Sequence, residues 1–103
     1  AVKKIISYLR EHFLERITIE ELCAETDYSK FYLCHSFKKM TGNTIIQYVN
    51  FLKCQHARNL LLEGNHSVSE SAALSGYNND SYFTKTYKAG FGRLPSDDLR
   101  LLP

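Results

Sequence analysis

Slid over itself by 49 residues, the chain matches itself: Thr18 meets Ser67, Ile19 meets Val68, Glu21 meets Glu70, Ala24 meets Ala73 and Tyr28 meets Tyr77. One inserted residue later the offset becomes 50, and Tyr32 meets Tyr82, Leu33 meets Phe83, Phe37 meets Tyr87, Lys38 meets Lys88 and Gly42 meets Gly92. Such a repeat means one supersecondary unit used twice, so the fold must make sense of both copies at once. Each copy opens on a capping box, Thr18-Ile-Glu-Glu21 or Ser67-Val-Ser-Glu70, in which a hydroxyl accepts a backbone N–H and the glutamate reaches back. A turn residue follows, Asp27 or Gly76, and then a second helical stretch that carries lysines.

The segments around the repeat are helical too. Val2, Ile5, Ile6, Leu9 and Phe13 recur at helical spacing and predict a helix over residues 2–14. A short helix from the Thr18 box runs to about Thr26, with Ile19, Leu22 and Cys23 inward. Asp27 tolerates a left-handed turn, and Ser29 caps the next helix. There Leu33, Phe37 and Met40 form the expected inner stripe, ended by Gly42. Asn43 or Thr44 then starts a long helix to Glu63, with Ile46, Val49, Ala57, Leu60 and Leu61 as expected buried positions, and Gly64 stops it. In the second copy, helices are expected from the Ser67 box to Gly76 and from Asn79 or Asp80 to Ala89. Pro95 suits the first turn of a short last helix. No stretch alternates apolar and polar residues as a strand would. The expected fold is therefore all-α, with about seven helices: two helix-turn-helix subdomains, residues 1–43 and 64–103, joined by a linker helix over 44–63.

Positive charge follows the repeat. Residues 1–27 carry six acids against four bases, whereas residues 28–62 hold Lys30, Lys38, Lys39, Lys53 and Arg58 with no acid at all. Residues 81–96 hold Lys85, Lys88 and Arg93, again with no acid. Cations confined to separate short segments suit a polyanion partner better than an evenly solvated face. Composition closes other routes: 44% apolar and 23% charged residues with 2 Pro exclude disorder and Pro-rich linkers. No apolar run approaches a membrane span, so no membrane partner is expected. Three cysteines, Cys23, Cys34 and Cys54, with no C-x-x-C fit a reducing cytosol, and the expected location is cytoplasmic. The chain opens at Ala1 without Met and enters helical pattern at once, which leads us to expect a fragment of a longer protein.

Two helices joined by a tight turn, with positive charge on the second, is the plan of a helix-turn-helix reader of DNA. The linker would be roughly 28 Å long at 1.5 Å per residue, close to the ~34 Å between successive major-groove faces on one side of B-DNA. Two recognition helices in adjacent major-groove segments are therefore expected from one chain. Two rival classes compete. An enzyme is disfavoured, since no Gly-rich phosphate loop, H-E-x-x-H or nucleophile elbow is present. No cofactor or metal is expected either: Cys54 and His56 stand two apart and face different sides of a helix. The second alternative, a helical protein-interaction module, predicts no affinity for duplex DNA.

The stretch Tyr28-Ser-Lys-Phe-Tyr-Leu-Cys-His-Ser-Phe-Lys-Lys-Met-Thr-Gly42 resembles the first recognition helix of the AraC/XylS family of bacterial transcription regulators. Ala57-Arg-Asn-Leu-Leu61 resembles its linker helix. Gly76-Tyr-Asn-Asn-Asp-Ser-Tyr-Phe-Thr-Lys-Thr-Tyr-Lys88, followed by Gly92 and Leu94-Pro95-Ser96, resembles its second-repeat signature. The resemblance implies a C-terminal DNA-binding domain of seven helices, attached to a sensing or receiver domain and often contacting RNA polymerase, with activation among its roles. It also implies base contacts at the positions of Phe31, Cys34 and His35.

Helical phase supports outward positions. With Leu33 and Phe37 inward, Phe31, His35 and Lys38 point away, and Phe31 either lies against thymine methyls in the groove or packs on the preceding helix. In the second copy, Ser81, Lys85 and Lys88 point out with Thr84 beside them, and Lys85 suits guanine O6 and N7. Base-reading candidates are thus Phe31, Cys34, His35, Ser81, Thr84 and Lys85. Ser29, Lys30, Lys38, Lys39, Lys88 and Arg93 are expected to meet phosphates. Tyr28 and Tyr77 are expected to pack each turn on its own core. Ser71 matches Leu22 in the repeat, which predicts a thinner core in the second copy.

Overall fold

A computed structural model describes residues 2–99. Within them the chain forms seven helices: α1 (Val2–His12), α2 (Ile19–Thr26), α3 (Lys30–Thr41), α4 (Ile45–Glu63), α5 (Val68–Leu74), α6 (Asp80–Phe91) and α7 (Pro95–Asp98). No strand occurs among the described residues. The helices group into two compact units that divide between Val49 and Asn50, inside α4.

The caps fall where side-chain chemistry requires them. Thr18 accepts the Glu21 N–H at 3.1 Å and Ser29 accepts the Tyr32 N–H at 3.2 Å. Ser67 and Glu70 close both halves of their box. Thr44 and Gln47 make a further box, each backbone N–H bonded to the other's side chain, which settles the start of α4. Asn79 caps α6 through the Tyr82 N–H. Asp27 has φ 59°, the left-handed conformation that a short polar side chain tolerates, and so turns α2 into α3.

In the first unit α1, α2 and α3 pack on one another around Ile5, Leu9, Leu22, Leu33 and Phe37, all buried. The core of the second unit comprises Cys54, Ala57, Leu61, Ala72, Tyr77, Phe83 and Tyr87, with Val68, Phe91 and Leu99 packed against it. Tyr77 sits in that core as expected. Its hydroxyl donates to Asn50 Oδ1 at 2.8 Å and lies 3.4 Å from Cys54 Sγ. Tyr28 is half-buried and meets the Tyr32 ring at 4.8 Å.

Two expected core positions are wrong. Met40 is 72% exposed and Ile46 is 65% exposed. The inner stripe of α3 ends at Phe37, because one turn later the helix closes on the left-handed Gly42 and residue 40 has passed the edge of the core. In α4 the buried residue of the first turn is Ile45, one position earlier, followed by Leu52, Cys54, Ala57 and Leu61.

Candidate nucleic-acid interface

The two second helices, α3 and α6, are built alike to the level of single side chains. Residues 31–45 and 81–95 share one pattern of exposure, position for position. Leu33 and Phe37 anchor α3, as Phe83 and Tyr87 anchor α6, and all four are fully buried. Phase then fixes what remains outside. Phe31 and Ser81, His35 and Lys85, Lys38 and Lys88 are exposed pairs, while Cys34 and Thr84 are both half-buried on the flank.

The alternative that Phe31 packs on the preceding helix does not hold. Phe31 is 78% exposed, and its ring stacks on the His35 ring one turn on, with centroids 5.4 Å apart and planes 8° apart. An exposed aromatic held flat by a neighbour presents an apolar face that already has its conformation, so little side-chain entropy is lost on contact. The imidazole adds a polar edge beside it. The first outward face is thus aromatic and cationic, with Lys30, Lys38 and Lys39 exposed around it. The second has Ser81, Lys85 and Lys88 exposed, and no ring among them. Tyr82 lies beside them with its hydroxyl accepting from Asn50 Nδ2 at 3.0 Å.

Two acids of the second unit are engaged with neighbouring serines. Asp80, in the first turn of α6, accepts the Ser69 hydroxyl at 2.5 Å. Glu70 is held below the usual carboxylate range by hydrogen bonds from the Ser67 backbone and hydroxyl. The phosphate candidates differ in availability. Ser29 spends its oxygen on the cap of α3. Arg93, beyond the end of α6, is half-exposed, but its Nε lies 2.9 Å from Asp98 Oδ1 and its Nη2 donates to the Asp97 carbonyl at 3.1 Å. Asp98 was invisible to sequence reasoning. It is buried, and also accepts the Tyr87 hydroxyl at 2.5 Å.

A family profile described as a helix-turn-helix domain matches residues 22–100, both recognition helices included. A solved structure of a probable AraC family transcriptional regulator from Rhodopseudomonas palustris is 30% identical, covers 95% of this chain and 93% of that one, and superposes with a TM-score of 0.90. The chain belongs to the AraC/XylS family of helix-turn-helix domains. The C-terminal domain of AraT, a response regulator from Geobacillus stearothermophilus, is similar over 99% of this chain and 87% of its own, at 25% identity and a TM-score of 0.86. Among curated proteins, the MmsAB operon regulatory protein of Pseudomonas aeruginosa is 34% identical over 90 residues, which are 87% of this chain and 29% of that regulator. The chain spans less than half the length of this and other curated relatives it matches. Seven all-helical elements and a transcription-regulator family are therefore as the sequence implied. No helix among the described residues is long and apolar enough to cross a membrane.

Proposed function

We propose that this chain binds duplex DNA sequence-specifically, by laying the outward faces of α3 and α6 in adjacent segments of the major groove, and so regulates transcription in a bacterium. The observation that carries the reading is the matched exposure of the two helices: each buries its two large anchors and turns three equivalent positions outward. In the first face Phe31, Cys34 and His35 read bases, the ring pair against thymine methyls and the imidazole edge on an acceptor. In the second face Ser81, Thr84 and Lys85 do so, with Lys85 donating to guanine O6 or N7. Lys30, Lys38, Lys39, Lys88 and Arg93, with the hydroxyl of Ser29, meet phosphates and set register without carrying sequence information.

The chain's share of its relatives' length supports a further domain, sensing or receiver, covalently attached in the full regulator, and activation through RNA polymerase belongs to the same proposal. No catalytic role is assigned to this part, and its place is the cytoplasm, on the nucleoid. The test is selection from a random duplex pool followed by footprinting of the selected sites. A shared motif of two half-sites about one helical turn apart supports the reading. No binding at moderate salt would leave a helical protein-interaction module in its place.

A further inference from the structure

The repeat runs on past the recognition helices, and there the two copies part. By the offset of 50, Phe37 matches Tyr87 and Tyr48 matches Asp98. In the first unit Phe37 and Tyr48 meet edge to face, with centroids 5.7 Å apart. In the second, a hydroxyl and a buried carboxylate take the place of that ring contact: Tyr87 donates to Asp98 Oδ2 at 2.5 Å. Packing alone needs no charge here, as the first unit demonstrates. Burying a carboxylate is costly unless it is paired, and this one is paired with Arg93 at 2.9 Å and has the Arg58 Nε at 3.7 Å. Arg58 in turn lies over the Phe91 ring at 5.6 Å.

The arrangement has a direction. Gly92 closes α6 in the left-handed conformation and Arg93 follows at once, so the clamped guanidinium stands at the carboxyl end of the recognition helix. Nε is committed to Asp98 and one Nη2 hydrogen to the Asp97 carbonyl, and the guanidinium keeps its outer N–H groups, since arginine carries five donors. The side chain is half-exposed. A free surface arginine loses rotamer entropy when it grips a phosphate, whereas one already held in place does not. The matched residue of the first copy, Asn43, is neutral.

We propose that Asp98 is a positioning residue for DNA binding: it clamps Arg93 so that the outer edge of the guanidinium is held ready for one backbone phosphate beside α6. The proposal rests on the DNA-binding reading above. It is tested with the 103-residue chain on a random-sequence duplex of about 30 base pairs, three helical turns, by titrating affinity against salt. Asp98→Asn and Arg93→Ala should each flatten the slope of log K against log salt by about one. Each should weaken binding on the order of eightfold at 0.1 M salt, the counterion-release value of one phosphate contact. The double variant should bind no worse than Arg93→Ala alone, because Asp98 acts through Arg93. Losses that multiply, or an Asp98→Asn slope equal to wild type, overturn the proposal. Should Asp98→Asn not fold, Tyr87→Phe with Asp98→Tyr rebuilds the ring pair of the first unit without the carboxylate. A flatter slope for that folded variant supports the clamp, and an unchanged slope overturns it. Absence of binding by the wild-type chain overturns the DNA-binding reading itself, a distinct result.

Discussion

Ser71 lies fully buried at the position in α5 that Leu22 holds in α2, and among the described residues its hydroxyl has no hydrogen-bond partner. The first unit fills the site with an aliphatic side chain and the second leaves a polar atom in it. A buried donor without a partner costs about 1–3 kcal/mol, and the missing aliphatic group forgoes a further ~1.5–3 kcal/mol of burial. Ser71→Ala should therefore raise the stability of the second unit by about 1 kcal/mol, read as a higher urea midpoint at unchanged m-value. Hydrogen exchange on the wild-type chain should show α5 less protected than α2. A destabilising Ser71→Ala would mean that the hydroxyl is satisfied in solution.

DNA affinity should fall steeply with salt. Five cations are expected on phosphates, Lys30, Lys38, Lys39, Lys88 and Arg93, and if all five meet them the slope of log K against log salt is about −4.5. A slope shallower than about −2 is incompatible with two helices engaged together. Titration of the random duplex between low and moderate salt measures it.

The two faces should fail separately. Lys85→Ala is expected to cost about 1–3 kcal/mol and to relax base preference in one half-site. Phe31→Ala or His35→Ala should relax it in the other. Footprints of the three variants compared side by side decide the matter, and loss of the same few base pairs in all of them would leave a single reading helix.

Alkaline solution should weaken the second unit. Burial pushes the Cys54 thiol above its ordinary value of 9.0. Burial also raises the Tyr77 and Tyr87 phenols, with the Cys54 and Asp98 hydrogen bonds adding to the shift. All three folded-state values lie above the unfolded ones, so the stability they represent is complete below the unfolded pKa and is lost as pH rises through the folded pKa. Denaturant midpoints should hold to about pH 9 and then decline toward pH 11. Phenolate absorbance from Tyr77 and Tyr87 should appear together with unfolding and not before it.

The caps and turns were legible because they are set by local chemistry, whereas α1 and α6 end at His12 and Phe91 instead of at the expected residue 14 and Ala89. The Ser67 box, the Ser29 cap and the left-handed Asp27 each depend on a few adjacent atoms. The outward faces of the two helices were legible because Leu33 and Phe37 fix the phase of α3, and Phe83 and Tyr87 that of α6. Met40 was misplaced by extending helical periodicity past the edge of the core, and Ile46 by placing the phase of the first turn of α4 one residue late. The repeat held the missing signal: Met40 matches Gly90 and Ile46 matches Ser96, neither suited to a core, whereas Ile45 matches the buried Pro95. Asp98 was illegible for a different reason. Whether an acid in a short terminal helix is solvated or clamped depends on Arg58, Arg93 and Tyr87, which are 40, 5 and 11 residues away, and no local pattern connects them.

The shared exposure of residues 31–45 and 81–95 makes the reading surface a detachable part. The buried anchors and the caps of each helix are supplied by positions other than 31, 34 and 35 or 81, 84 and 85, so those outward positions can be rewritten without consulting them. Carrying Ser81, Thr84 and Lys85 into the places of Phe31, Cys34 and His35 should leave the first unit folded and give both helices one preference. Sites selected from a random duplex pool by that variant should then approach a direct repeat of a single half-site: one scaffold, two interchangeable keys.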